Sequence, residues 1–266
     1  MQLVRTVIGD RGLIVLAQCC ARIKRLRILL GTDDQVMEDE GGVSDTGLVA
    51  LALGCRELEQ LNVFVWDITN ESLEYIGKCL KELRDFRLCL IKGEITISDL
   101  PLDFGVKSVL RGCEKLTRLD LELRLGWLTD VGLSFIGRNS QNIRRMLLSF
   151  VGETDRGLEM FSRWCRGFRH LEIRRCTFSE NAVALAAIQL TSVTYLWVQF
   201  ENSCIRDRAL SHMVRPRWVM ELIQERRRAV RNGNHVFVAR QKPHLLAYYS
   251  VDGRRRTDAP GTITLM

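Results

Sequence analysis

The 266-residue chain is 46% hydrophobic and 27% charged, with a formal net charge of +7, which excludes disorder as its main state and supplies enough apolar side chains for a large core. No run of 18 apolar residues occurs, which excludes a membrane-spanning helix of ordinary length, and the opening MQLVRTVIGDRG has no apolar stretch of signal-peptide type. The positive charge admits a nucleic acid, a phosphorylated ligand or an acidic partner, but much of it lies in ERRRAVR (225–231) and GRRRT (253–257), runs that read as solvated loops, with nuclear import as the functional alternative.

Taken in chain order, the first eleven or so residues read as the strand and turn of a preceding unit, so the chain is expected to start inside a longer solenoid. A 17-residue unit then returns seven times without a gap: GLIVLAQCCARIKRLRI (12–28), GLVALALGCRELEQLNV (47–63), SLEYIGKCLKELRDFRL (72–88), GVKSVLRGCEKLTRLDL (105–121), GLSFIGRNSQNIRRMLL (132–148), GLEMFSRWCRGFRHLEI (157–173) and AVALAAIQLTSVTYLWV (182–198). In each, apolar residues of the first half recur at helical spacing, as in Leu48, Leu51 and Ala52, and the second half alternates as a strand. The anchor position holds Cys20, Cys55, Leu80, Cys113, Ser140, Cys165 and Leu190, at spacings of 35, 25, 33, 27, 25 and 25 residues. The shorter spacings fall in the window of leucine-rich repeats, and the longer ones carry loop insertions.

The expected architecture is therefore α/β: a leucine-rich-repeat solenoid, or horseshoe, with parallel concave strands, outer helices and a C-terminal cap. Residues 1–200 hold about seven repeats, truncated at the N-terminal end. Residues 201–266 form the last repeat and the cap, with WVMELI and HLLAYYSV as further strands and the arginine triplets in their connections. The nine cysteines are odd in number and include no CxxC, so they read as reduced core residues, and no metal is expected. Four histidines, His170, His212, His235 and His244, occur without an HExxH, a GxSxG or a glycine-rich phosphate loop, so the chain reads as non-catalytic.

In such a solenoid the residues between the inward leucines point into the groove. The first groove column reads Arg27, Asn62, Arg87, Asp120, Leu147, Glu172, Trp197; the second reads Leu29, Phe64, Cys89, Glu122, Ser149, Arg174, Gln199. Arg27 and Arg87 stand two strands apart, about 10 Å, within reach of one anion. Arg174 and Trp197 form a second group suited to anchoring a peptide. The plain alternatives are solvated arginines, pairing with Asp120, Glu122 or Glu172, and a tryptophan packed against the cap.

The strings VIGDRGL, KRLRI, DITNESLE, DFRL, LTD.GL, YLWVQ and LAYYS together resemble, in order and over nearly the whole chain, the C-terminal two-fifths of the coronatine-insensitive jasmonate receptors of plants, which are F-box proteins with leucine-rich repeats. The resemblance implies a nuclear recognition subunit of an SCF-type E3 ubiquitin ligase acting in jasmonate signalling and plant defence, with cytoplasm as a second compartment and neither nucleic acid nor membrane as partner. It implies a jasmonoyl-isoleucine-type hormone at Arg27, Phe64, Arg87, Cys89, Glu122 and Trp197, a JAZ repressor degron at Leu147, Arg174 and Trp197, and an inositol polyphosphate at Arg25, Arg27 and Arg87. The chain departs from the family pattern in several places. Phe64 and Glu122 replace two ligand tyrosines, Leu29 and Leu30 a charged pair, Arg145 a tryptophan, and LGW (125–127) a glycine-rich turn. Glu122 is expected to pair with Arg87. The F-box and the early repeats fall outside the chain, so a truncated or diverged paralogue or a partial gene model is expected, with a hormone-independent interaction scaffold or a non-functional relic as the alternative.

Overall fold

In a computed structural model, which describes residues 8–28, 42–90, 100–165, 167–190, 192–193, 195–200, 218–223, 247–250 and 255–256, each unit folds as a ten-residue helix followed by a short strand. The order is α1 (Asp10–Cys19), β1 (Arg25–Arg27), α2 (Asp45–Gly54), β2 (Gln60–Val65), α3 (Asn70–Cys79), β3 (Asp85–Leu90), α4 (Asp103–Gly112), β4 (Arg118–Glu122), α5 (Asp130–Asn139), β5 (Arg145–Ser149), α6 (Asp155–Trp164), β6 (His170–Cys176), α7 (Glu180–Gln189) and β7 (Tyr195–Phe200), then β8 (Trp218–Ile223), β9 (Ala247–Ser250) and β10 (Arg255–Arg256). The strands form one open sheet in sequence order. β1 to β7 are mutually parallel, and β8, β9 and β10 continue the sheet antiparallel.

Local sequence explains each unit. Ser44, Thr69, Thr129 and Ser179 cap their helices, accepting from the N–H groups of Thr46, Glu71, Val131 and Ala182. At the other end the anchor residue turns inward, and Cys55, Leu80, Cys113, Ser140, Cys165 and Leu190 are all buried. Three residues on, Leu58, Leu83, Leu116, Ile143, Phe168 and Val193 are buried too, and the strand leucines complete the core between sheet and helices. Burying each such side chain is worth about 1.5–3 kcal/mol, realised only when the neighbouring unit stacks on it. The register is fixed at each strand entry, where the carbonyls of Lys24, Glu59, Arg84, Thr117 and Arg144 each accept two N–H groups from the next unit.

The helices are also joined by a polar ladder. The first residue of each helix reaches the cap of the next: Asp10 accepts from the N–H groups of Ser44 and Gly47, Asp45 from Thr69, Asp103 from Thr129, Asp130 from Glu153 and Thr154, and Asp155 from Ser179. Asn70 takes this place in α3, accepting from the N–H of Gly105 at 2.7 Å. One carboxylate thus serves both the end of its own helix and the orphan donors of its neighbour. Between α3 and α4 the backbones themselves touch: a Cβ at Gly112 would lie 1.8 Å from the Gly77 carbonyl oxygen.

At the C-terminal end, WVMELI is β8, and AYYS of the second expected cap strand is β9. The arginines of GRRRT, expected in a connection, contribute β10, with Arg255 opposite Tyr249 and Arg256 opposite Tyr248. The expected boundary after residue 200, the basic run 225–231, and Leu29 and Leu30 adjoin or lie in segments outside the described residues.

Candidate functional site on the concave face

The parallel register places the first column in one line: Arg27 opposite Asn62, then Arg87, Asp120, Leu147, Glu172 and Trp197 on successive strands. The second column runs Phe64, Cys89, Glu122, Ser149, Arg174. Its expected last step is corrected by a bulge in β6, where Arg174 and Arg175 together span one residue of β7 and pairing resumes at Cys176 and Phe200. Arg175 has φ 50° and Phe150 φ 55°, and the Arg175 guanidinium stacks 5.1 Å over the Phe150 ring.

Period two demands a third column, and the strands supply it two residues earlier: Arg25, Gln60, Asp85, Arg118, Arg145, His170, Tyr195. This column decides the electrostatics. Asp85 and Arg87 of β3 face Arg118 and Asp120 of β4 as an alternating quartet. Arg87 donates from Nε and Nη2 to the two Asp85 oxygens at 3.1 and 3.3 Å and lies 3.4 Å from Asp120. Arg118 donates to the same Asp120 oxygen at 2.7 and 2.9 Å. Gln60 adds a donor to Asp85 at 3.2 Å. Arg118 is half-buried, and although that burial works to lower its pKa, the hydrogen bond and charge of Asp120 prevail and raise it.

A second group lies on β6. Glu172 receives Arg174 at 2.8 Å and His170 at 2.9 Å. Burial works to raise the Glu172 carboxyl, but these two partners outweigh it and hold the carboxyl below its ordinary value. Between the two groups, Leu147 is only 7% exposed. The expected pairing of Arg87 with Glu122 is not formed. Asp120 stands directly opposite Arg87, whereas Glu122 stands opposite Cys89. The Cys89 thiol is pushed up to about 11 by burial and by that carboxylate.

No family model matches the chain. It is 54% identical over 264 residues to coronatine-insensitive protein 1 of Arabidopsis thaliana, covering 98% of this chain and 44% of that protein. The chain is a relative of the coronatine-insensitive proteins. It is also 47% identical over 264 residues to coronatine-insensitive protein homolog 1b of Oryza sativa subsp. japonica, again covering 98% of this chain and 44% of the relative. A more distant match, at 30% over 268 residues, is F-box protein FBX14 of Arabidopsis thaliana, of which 40% is covered, with 97% of this chain. The chain thus spans less than half the length of the relatives it matches.

Set against the coronatine-insensitive pattern, Arg27, Phe64, Arg87, Cys89, Glu122, Leu147 and Arg174 fall on β1 to β6, and Trp197 takes its backbone place on β7 opposite Glu172. Arg25 is exposed and Arg27 half-buried, and neither has a carboxylate partner among the described residues. Arg87 and Arg174 do have such partners. Asp85, Arg118 and His170 are groove residues that reading two columns instead of three overlooked; the alternation of DFRL, RLD and HLE carries them. Among the described residues no three His, Cys, Asp or Glu side chains converge as a metal site.

Proposed function

We propose that the chain is the recognition portion of a coronatine-insensitive-type receptor. On this reading it binds, on its concave face, a jasmonoyl-isoleucine-type acid together with a JAZ-type degron, and so selects substrates for an SCF-type ubiquitin ligase in the nucleus without catalysing a step itself. The observation that carries this is the similarity over 98% of the chain, combined with a register that lines up Arg27, Arg87 and position 197 in one column. Arg87 would meet the ligand carboxylate by exchange: the acid takes over the ion pair that Arg87 makes with Asp120 at 3.4 Å, the Nε hydrogen stays with Asp85, and Asp120 stays with Arg118, its closer partner at 2.7 Å. An inositol polyphosphate fits Arg25 and Arg27, whose charges have no carboxylate partner among the described residues; at Arg87 it has to compete with two carboxylates.

A hormone-independent scaffold is the second reading, favoured by specific residues. Phe64 keeps an apolar wall but has no hydroxyl, a loss of about 1 kcal/mol for a ligand hydrogen bond. Glu122 adds a carboxylate beside Cys89, which repels an anionic ligand. The test is capture of a JAZ degron peptide on the immobilised chain with and without jasmonoyl-isoleucine, for wild type and Arg87→Ala. Hormone-dependent capture lost in Arg87→Ala supports the receptor. Capture indifferent to hormone supports the scaffold, and no capture in either condition refutes both.

A further inference from the structure

Away from the groove, two adjoining clefts run across the ends of α4, α5 and α6, where the helices turn toward their strands. The larger, about 700 Å3, is walled by Arg138, Gln141, Arg144, Trp164 and Gly167. The smaller, about 270 Å3, shares Arg138 and Gln141 and adds Arg111 and Glu114. Three arginines therefore line the clefts against one carboxylate. None of the three has a carboxylate partner among the described residues: Arg111 donates to the Asn139 side chain at 3.4 Å, Arg144 to the Gly167 carbonyl at 2.9 Å, and Arg138 lies 5.5 Å over the Trp164 ring.

The outer helix faces continue the same chemistry. Phe104, Lys107 and Arg111 follow one stripe of α4, and Phe135 and Arg138 one stripe of α5. The Lys107 ammonium sits 5.6 and 4.5 Å from the Phe104 and Phe135 ring centres. Phe104 is 57% and Trp164 50% exposed. The negative ends of the helices account on their own for basic residues in a last turn, as at Arg111 and Arg138. They do not account for Arg144, which lies beyond the helix, nor for aromatic rings left half in water beneath cations.

We propose that this face docks an acidic segment of a partner protein that carries apolar side chains, its carboxylates pairing with Arg138 and Arg144 and an apolar side chain covering Trp164. The arginines are held in place before the partner arrives, Arg144 by the Gly167 carbonyl and Arg138 by the indole face, so less side-chain freedom is lost on binding. An acidic peptide suits the face better than a nucleic acid strand, because Glu114 and the Glu159 to Arg163 pair interrupt any continuous band of cations.

The experiment uses the full chain and a short fluorescein-labelled peptide of repeating Glu-Glu-Phe, read by anisotropy at low and physiological salt. Binding that weakens with salt is expected, falling about tenfold or more in Arg138→Glu/Arg144→Glu and in Trp164→Ala. Arg144→Gln, a milder change, is expected to give an intermediate loss, with circular dichroism confirming that each variant is folded. Arg87→Ala, in the groove, is expected to bind as wild type does. Unchanged binding in the double variant, equal loss in Arg87→Ala, or tighter binding of a labelled single-stranded oligonucleotide than of the peptide would each overturn the proposal.

Discussion

Asp120 is the residue through which the groove can be tested most sharply. Its side chain is only 9% exposed and serves Arg87 at 3.4 Å and Arg118 at 2.7 Å. At an effective dielectric near 20, the Arg87 contact alone has a gross attraction of about 5 kcal/mol, most of it offset by desolvation. Asp120→Asn keeps the shape and one acceptor for Arg118 but leaves the quartet with an excess positive charge. The expected net loss is about 2 kcal/mol of stability, or about 6 °C in Tm for a chain of this size. The same change frees Arg87, so affinity for inositol hexakisphosphate, followed by isothermal titration, is expected to rise about tenfold, equivalent to 1.4 kcal/mol. Glu122→Gln is the control, since Glu122 faces Cys89. A Tm and an affinity unchanged in Asp120→Asn, or a larger gain in Glu122→Gln, would refute this view of the groove.

Three further outcomes follow from the same geometry. Because Glu172 is held below its usual value of 4.5, its contribution to stability is complete above that pH and lost as pH falls through the lower folded value; urea unfolding between pH 6 and 3.5 is expected to show a shallower acid decline in Glu172→Gln than in wild type. Iodoacetamide at pH 8, read by mass spectrometry, is expected to modify exposed Cys19 in the folded chain. Cys89 and Cys113, pushed up to about 11 and about 12 chiefly by burial, are expected to react only after denaturation. Gly112→Ala is expected to cost about 3 kcal/mol in urea unfolding, because the new Cβ meets the Gly77 carbonyl, which is backbone and has no room to yield.

Most of the fold was legible in the sequence because a solenoid repeats its signal. Seven copies of one anchor position, from Cys20 to Leu190, set the helix-to-strand turn, and the leucine alternation set which strand residues face outward. The groove was legible as position but not as pairing. DFRL and RLD each show one arginine and one aspartate two residues apart, yet only the parallel register reveals that the two pairs meet as a quartet and that Asp120, not Glu122, stands beside Arg87. The bulge at Arg174 and Arg175 was illegible for a related reason, since an extra residue in β6 leaves no mark until β7 is laid against it. The carboxylate ladder from Asp10 to Asp155 was present as the recurring Asp-x-Gly, but its purpose emerges only when each helix start is seen to serve the cap of the next.

The most direct test of recognition through the concave face is photo-cross-linking of a degron peptide carrying a benzophenone, in the presence of jasmonoyl-isoleucine, with the attachment sites mapped by mass spectrometry. Attachment on β3 to β7, around Arg87, Arg174 and position 197, competed away by unlabelled peptide and lost without the hormone, is the predicted result. Attachment confined to the outer helices, or a groove pattern indifferent to the hormone, would contradict it.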